Sequence, residues 1–153
     1  MTGRWSRWLS VAVLFCYLPH IIWGTWVYED AAWLVTVDRA SFNLRPRGLI
    51  QGLWAWEWHL WSSPSLHHAV SLALHACTAA LSGVLARRVG LSISGAWFVA
   101  GIVLLHPLGI ETVAYAAQQG EIVAAVGVLL VAVLTAGRWA WWTPVALVLA
   151  MMV

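Results

Sequence analysis

The chain has 153 residues, of which 62% are hydrophobic and only 9% charged, and its net charge is +2. Soluble domains carry about 45–50% apolar and about 25% charged residues, so water is excluded as the solvent for most of this surface. The small net charge argues against a nucleic-acid partner, and the composition predicts an all-α polytopic membrane protein.

Arg4 and Arg7 precede the first apolar run, residues 9–26. As a helix this run reaches about 27 Å, enough for a span. A cleaved leader would need a shorter apolar core and a small-residue cleavage site, whereas this run closes on Ile-Ile-Trp-Gly-Thr-Trp, so a retained span is expected. Pro19, followed by His20, is expected to kink it. Residues 28–65 form a long first loop. They include Trp54, Trp56, Trp58 and Trp61, whose spacing suggests a helix lying in the membrane interface, with sugar stacking as the sharper alternative.

Further spans are expected over residues 66–86, 91–105, 121–136 and 139–153. Arg87-Arg88 and Arg138 make the short turns, and residues 106–120 form a second loop. Proline cannot continue the helical ladder, so His106-Pro107 ends the third span. The fifth apolar run stops without a flanking charge, which reads as a bundle of about five spans truncated at its C-terminus. Arg4, Arg7, Arg87, Arg88 and Arg138 fall on one side, which the positive-inside rule makes cytoplasmic. All six acids (Glu29, Asp30, Asp38, Glu57, Glu111 and Glu121) fall on the other. Acids contribute little to orientation, so their segregation points to a functional surface there. Cys16 and Cys77 both lie inside apolar runs, where buried thiols are the ordinary reading.

Several places carry possible chemistry. Glu29-Asp30 sets two carboxylates at the edge of the first span, where mutual repulsion and desolvation favour one protonated group. Such a group can serve as a general base; the ordinary alternative is a pair solvated at the interface. Arg45 and Arg47, around Pro46, can clamp a phosphate or bind lipid head groups. In the second span His68, Ser71, His75, Thr78 and Ser82 make one polar stripe that must face protein or a hydrated cavity. Metal binding by the two histidines lacks a third ligand nearby, and hydrogen bonding between helices is the simpler use. If the chain is helical from Glu111 onward, Glu111, Tyr115, Gln118 and Glu121 share one face at the mouth of the fourth span.

Taken in order, Tyr28-Glu29-Asp30, Arg45-Pro46, Pro64 with His68 and His75, and His106-Pro107 with Glu111, Val113-Ala114 and Tyr115 resemble the signatures of a known family. The chain looks like the N-terminal membrane portion of the GT-C glycosyltransferases, nearest to the tetratricopeptide-repeat-containing protein O-mannosyltransferases and their bacterial relatives. The resemblance covers essentially the whole chain. It implies a GT-C-like helical bundle in a bacterial plasma membrane, with a cytoplasmic N-terminus and extracytoplasmic active-site loops. It also implies transfer of a sugar from a polyprenyl-phosphate donor to a hydroxyl of a protein or glycan acceptor, without a further cofactor or bound metal. Glu29 or Asp30 would be the base, and Arg45 or Arg47 would meet the leaving phosphate. Glu111 would shape the donor or acceptor pocket, with His68, His106, Tyr115 and Glu121 completing the binding set. The chain departs from its relatives at Glu29, where Asp is usual, and at Gln118-Gln119-Gly120-Glu121, where Gly-Arg-Ala-Asp is common. The competing expectation is a non-catalytic membrane protein, either an inactive relative or part of a transporter or flippase.

Overall fold

A computed structural model describes residues 2–23, 48–60, 63–115, 118–136 and 144. Among them the chain is helical throughout, with no strand. We number the helices α1 (Thr2–Trp23), α2 (Gly48–Leu60), α3 (Pro64–Arg88), α4 (Ile93–Leu105), α5 (Pro107–Ala114) and α6 (Gln119–Thr135).

The centre of the fold is α3, which packs against every other helix. Its 25 residues extend about 37 Å, more than the roughly 30 Å of a bilayer's hydrocarbon core. Its boundaries are written locally. Ser63 is extended and its hydroxyl accepts from Ser65 N at 3.3 Å, and Pro64 takes the first turn, where a missing N–H costs nothing. At the far end Arg87 and Arg88 meet the negative end of the helix dipole. Gly90, at φ 99°, then turns the chain back.

Small residues let α3 and α4 approach closely. A Cβ on Gly83 would lie 3.2 Å from the Ala96 carbonyl oxygen and 3.3 Å from Ala100 Cβ. Ala79 and Gly83 on one helix, Ala96 and Ala100 on the other, are four residues apart, the spacing that brings two backbones together in a bilayer. Arg88 donates to the Val133 carbonyl at 2.9 Å, tying the end of α3 to the end of α6, so these two helices run in parallel.

Helix α4 is capped by Ser92, whose hydroxyl accepts from Gly95 N at 3.1 Å. It ends at His106 because the residue before a proline is driven out of the helical region, here to φ −65°, ψ 134°. The expected third span therefore stops where the sequence places it. The segment expected as a loop (106–120), however, begins with α5, set at 49° to α4. Helix α2 lies in the segment expected as the first loop, where Trp54 is buried with Ile50 and Ala55 against Leu53, Trp58 and Val123. Part of the tryptophan set thus packs α2 onto the bundle; Trp56 is exposed, and Trp61 lies outside the described residues.

Of the described helices, α3 alone is long and apolar enough to cross a membrane, and the bent pair α4–α5 passes the same test taken together. Residues Val11–Trp23 of α1 and all of α6 are apolar but shorter. The expected fifth span (139–153) lies outside the described residues, apart from Pro144.

Among the described residues many large apolar side chains are exposed, while several polar ones are buried beside the apolar core. Phe15 is 84% exposed, Phe98 69% and Val128 62%, whereas Glu57, Ser71 and Gln119 are fully buried. Cys77 also faces outward, against the expectation of a buried thiol, and Cys16 is half-buried; both are free.

Candidate functional site

The polar stripe of α3 is real and turned inward. His67, His68, Ser71, His75 and Thr78 are all buried along its first four turns. Its two halves differ. Thr78 and Ser82 satisfy themselves within the helix, donating to the Leu74 and Thr78 carbonyls at 3.1 and 2.9 Å. The N-terminal half reaches across to α1, α2, α5 and α6.

The nucleus of the site is a buried carboxylate. Ile50, Trp54 and Glu57 follow one another at helical spacing on the same face of α2, so the face that buries Trp54 also buries Glu57. A lone buried carboxylate would be prohibitively costly, and two partners offset that cost. His67 Nδ1 from α3 pairs with Glu57 Oε2. Gln119 Nε2 from the first turn of α6 donates to Glu57 Oε1 at 2.9 Å. One acid thereby joins the loop helix to the N-terminal ends of α3 and α6.

His68 points to α5, its Nδ1 lying 3.2 Å from the Val113 carbonyl. A carbonyl can only accept, so Nδ1 carries the proton and Nε2 is left as an acceptor in the neutral ring. Two further turns along, His75 packs against Tyr17, ring centroids 6.0 Å apart at 52°. The Tyr17 hydroxyl donates to the Leu104 carbonyl, the last turn of α4. Gly109 passes directly over His75, and a Cβ there would come within 2.6 Å of His75 Nε2.

The remaining sequence candidates fall around this end. His106 is exposed and caps α5, its Nδ1 accepting from Leu108 N at 3.3 Å. Glu111 and Glu121 are exposed, and Tyr115 is half-buried. The continuous helix that would align Glu111, Tyr115, Gln118 and Glu121 does not form. Tyr115 is extended at φ −104°, ψ 113°, so Glu111 belongs to α5 and Glu121 to α6. Gln118 is half-buried ahead of α6, and its neighbour Gln119 turns inward. Glu29, Asp30, Arg45 and Arg47 lie outside the described residues.

Three members of the polar centre are not assigned a site role by the sequence: Glu57, which appears there only among the six segregated acids, His67 and Gln119. The sequence signal for Glu57 was a single acid on the face of α2 that carries Ile50 and Trp54. That for His67 was its position four residues before Ser71, on the stripe already marked by His68 and His75. Gln119 enters the sequence reading only as a departure from the family that the chain resembles. Among the described residues no three His, Cys, Asp or Glu side chains are grouped to hold a metal ion. No protein-family model, curated protein or solved structure matches the chain.

Proposed function

We propose that the chain supplies the first helices and extracytoplasmic loops of a multi-pass, GT-C-like membrane transferase. It moves a sugar from a polyprenyl-phosphate donor to an acceptor hydroxyl. The observation that carries this reading is the gathering of polar groups at one end of an otherwise apolar bundle. Glu57, His67, His68 and Gln119 are buried there, with His106, Glu111 and Glu121 around them, while Arg87 and Arg88 sit at the opposite end. Intramembrane ionisable groups are costly and mark functional sites. Arg47 directly precedes α2, so the segment bearing Glu29, Asp30, Arg45 and Arg47 leads straight into the helix that Glu57 docks at this end.

On this reading the acceptor oxygen attacks the anomeric carbon as the bond from that carbon to the phosphate oxygen breaks. The polyprenyl phosphate leaves with the electron pair, and the acceptor proton passes to Glu29 or Asp30. Arg45 or Arg47 meets the phosphate bidentately. The bacterial plasma membrane, with the N-terminus and Arg87-Arg88 cytoplasmic, is the setting that the positive-inside rule and the resemblance favour.

The test is transfer from a panel of radiolabelled polyprenyl-phosphate sugars by membranes expressing the complete gene. Transfer is expected, together with its loss in the Glu29→Gln/Asp30→Asn double variant. Parental rates in that variant would remove the acidic pair as base. No transfer from any donor would assign the chain to the non-catalytic alternatives, an inactive relative or a transporter or flippase component. Position 119 would then be the first suspect, because its amide is already engaged by Glu57 and presents no cation.

A further inference from the structure

We propose that the junction of α3, α5 and α6 is a binding site for a hydroxyl group, built from His68, Ser71 and Gln119. Each of these side chains is at least nine-tenths buried, and each has one polar atom with no hydrogen-bond partner among the described residues: His68 Nε2, Ser71 Oγ and Gln119 Oε1. Their chemistry follows from the bonds they do make. His68 Nδ1–H donates to the Val113 carbonyl, so in the neutral ring Nε2 is an acceptor. Gln119 gives its amide N–H to Glu57, and its Oε1 is an acceptor. Two buried acceptors and one hydroxyl call for a ligand that brings O–H donors.

The three side chains are linked through their neighbours. Ser71 lies three residues after His68 and four after His67, so on the helix surface it neighbours both. His67 leads through Glu57 to Gln119. His68 leads to Val113, which packs against Ile122, and Ile122 is three residues on from Gln119 along α6. The contrast with Thr78 and Ser82 sharpens the assignment, because the rest of the same stripe satisfies itself through its own helix.

The ligand chemistry is an O–H donor, supplied by a bound water or by a hydroxyl of the sugar donor. Only the second source rests on the transferase reading. Solid-state NMR of the 15N-histidine-labelled protein in lipid bilayers distinguishes them, with the His68 signal assigned by its loss in His68→Phe. A cross-peak from His68 Nε2 to an exchangeable proton is expected. Its persistence as a water proton after addition of decaprenyl-phosphate-linked mannose identifies a hydration site and removes the sugar source. Its replacement by a mannose hydroxyl proton identifies the sugar. Whether the protein transfers sugar is decided separately by the radiolabel assay, so either reading can fall alone. Thermal melting of Ser71→Ala supplies the second readout, since Ser71 makes no other side-chain bond. A hydroxyl that holds a ligand lowers the melting temperature when it is removed, by about 2–4 °C. Absence of the cross-peak in both conditions, a proton belonging to Ser71 itself, or a Ser71→Ala variant that melts at or above the parental temperature would overturn the proposal.

Discussion

Glu57 shows how one side chain organises several helices. Removing one member of a buried charged pair leaves the other uncompensated, at a cost of about 3–5 kcal/mol, whereas replacing both by apolar residues is often close to neutral. Glu57→Leu is therefore expected to destabilise the protein by about 3 kcal/mol. Glu57→Leu/His67→Leu is expected to recover much of that loss, with the residual set by the amide of Gln119. Unfolding measured for the two singles and the double gives the coupling energy directly. Additive effects would mean that the pair does not form. Much of this was open to inspection in the sequence, where an acid shares a helical face with Ile50 and Trp54. Identifying the partners was not, because His67 and Gln119 stand 10 and 62 positions away and only packing brings them to the carboxylate.

Among the helices, close packing fixes where glycine is required. The Cβ of Gly83→Val would press on the Ala96 backbone carbonyl, which cannot rotate away, so a loss of about 1–3 kcal/mol is expected. Gly109→Ala poses a different case, because the obstructed atom belongs to the His75 side chain. That ring is held between Tyr17 and α5, so the alanine is expected to destabilise by about 1–3 kcal/mol, and His75→Ala in the same chain should relieve it. A Gly109→Ala variant as stable as the parent would show that the ring has room to turn. The helix ends around these glycines were legible beforehand. Arg87-Arg88 and His106-Pro107 are local signals, and local signals act through neighbouring residues alone. The break at Tyr115 was not legible. No proline or glycine adjoins it, and a continuous helix from Glu111 satisfied the spacing equally well.

For the molecule as a whole, the exposed apolar side chains of the described helices and the length of α3 favour a membrane setting, and the topology proposed above rests on the placement of arginine. Single cysteines introduced at Glu29 and Arg87, in a chain whose Cys16 and Cys77 are replaced by serine, should react with a membrane-impermeant maleimide from opposite sides. Labelling of both from outside intact cells would overturn the proposed topology.

The all-helical class and several helix ends were legible in the sequence alone, because they depend on composition, hydrophobic period and neighbouring residues. The inward direction of the α3 stripe was determined the same way, since five polar residues on one face cannot meet hydrocarbon. Which of those residues have partners, and that an acid from the first loop completes the group, was decided only by tertiary structure. Burial turns a carboxylate's need for hydrogen bonds into a constraint on three helices at once, and no local pattern along the chain carries that information.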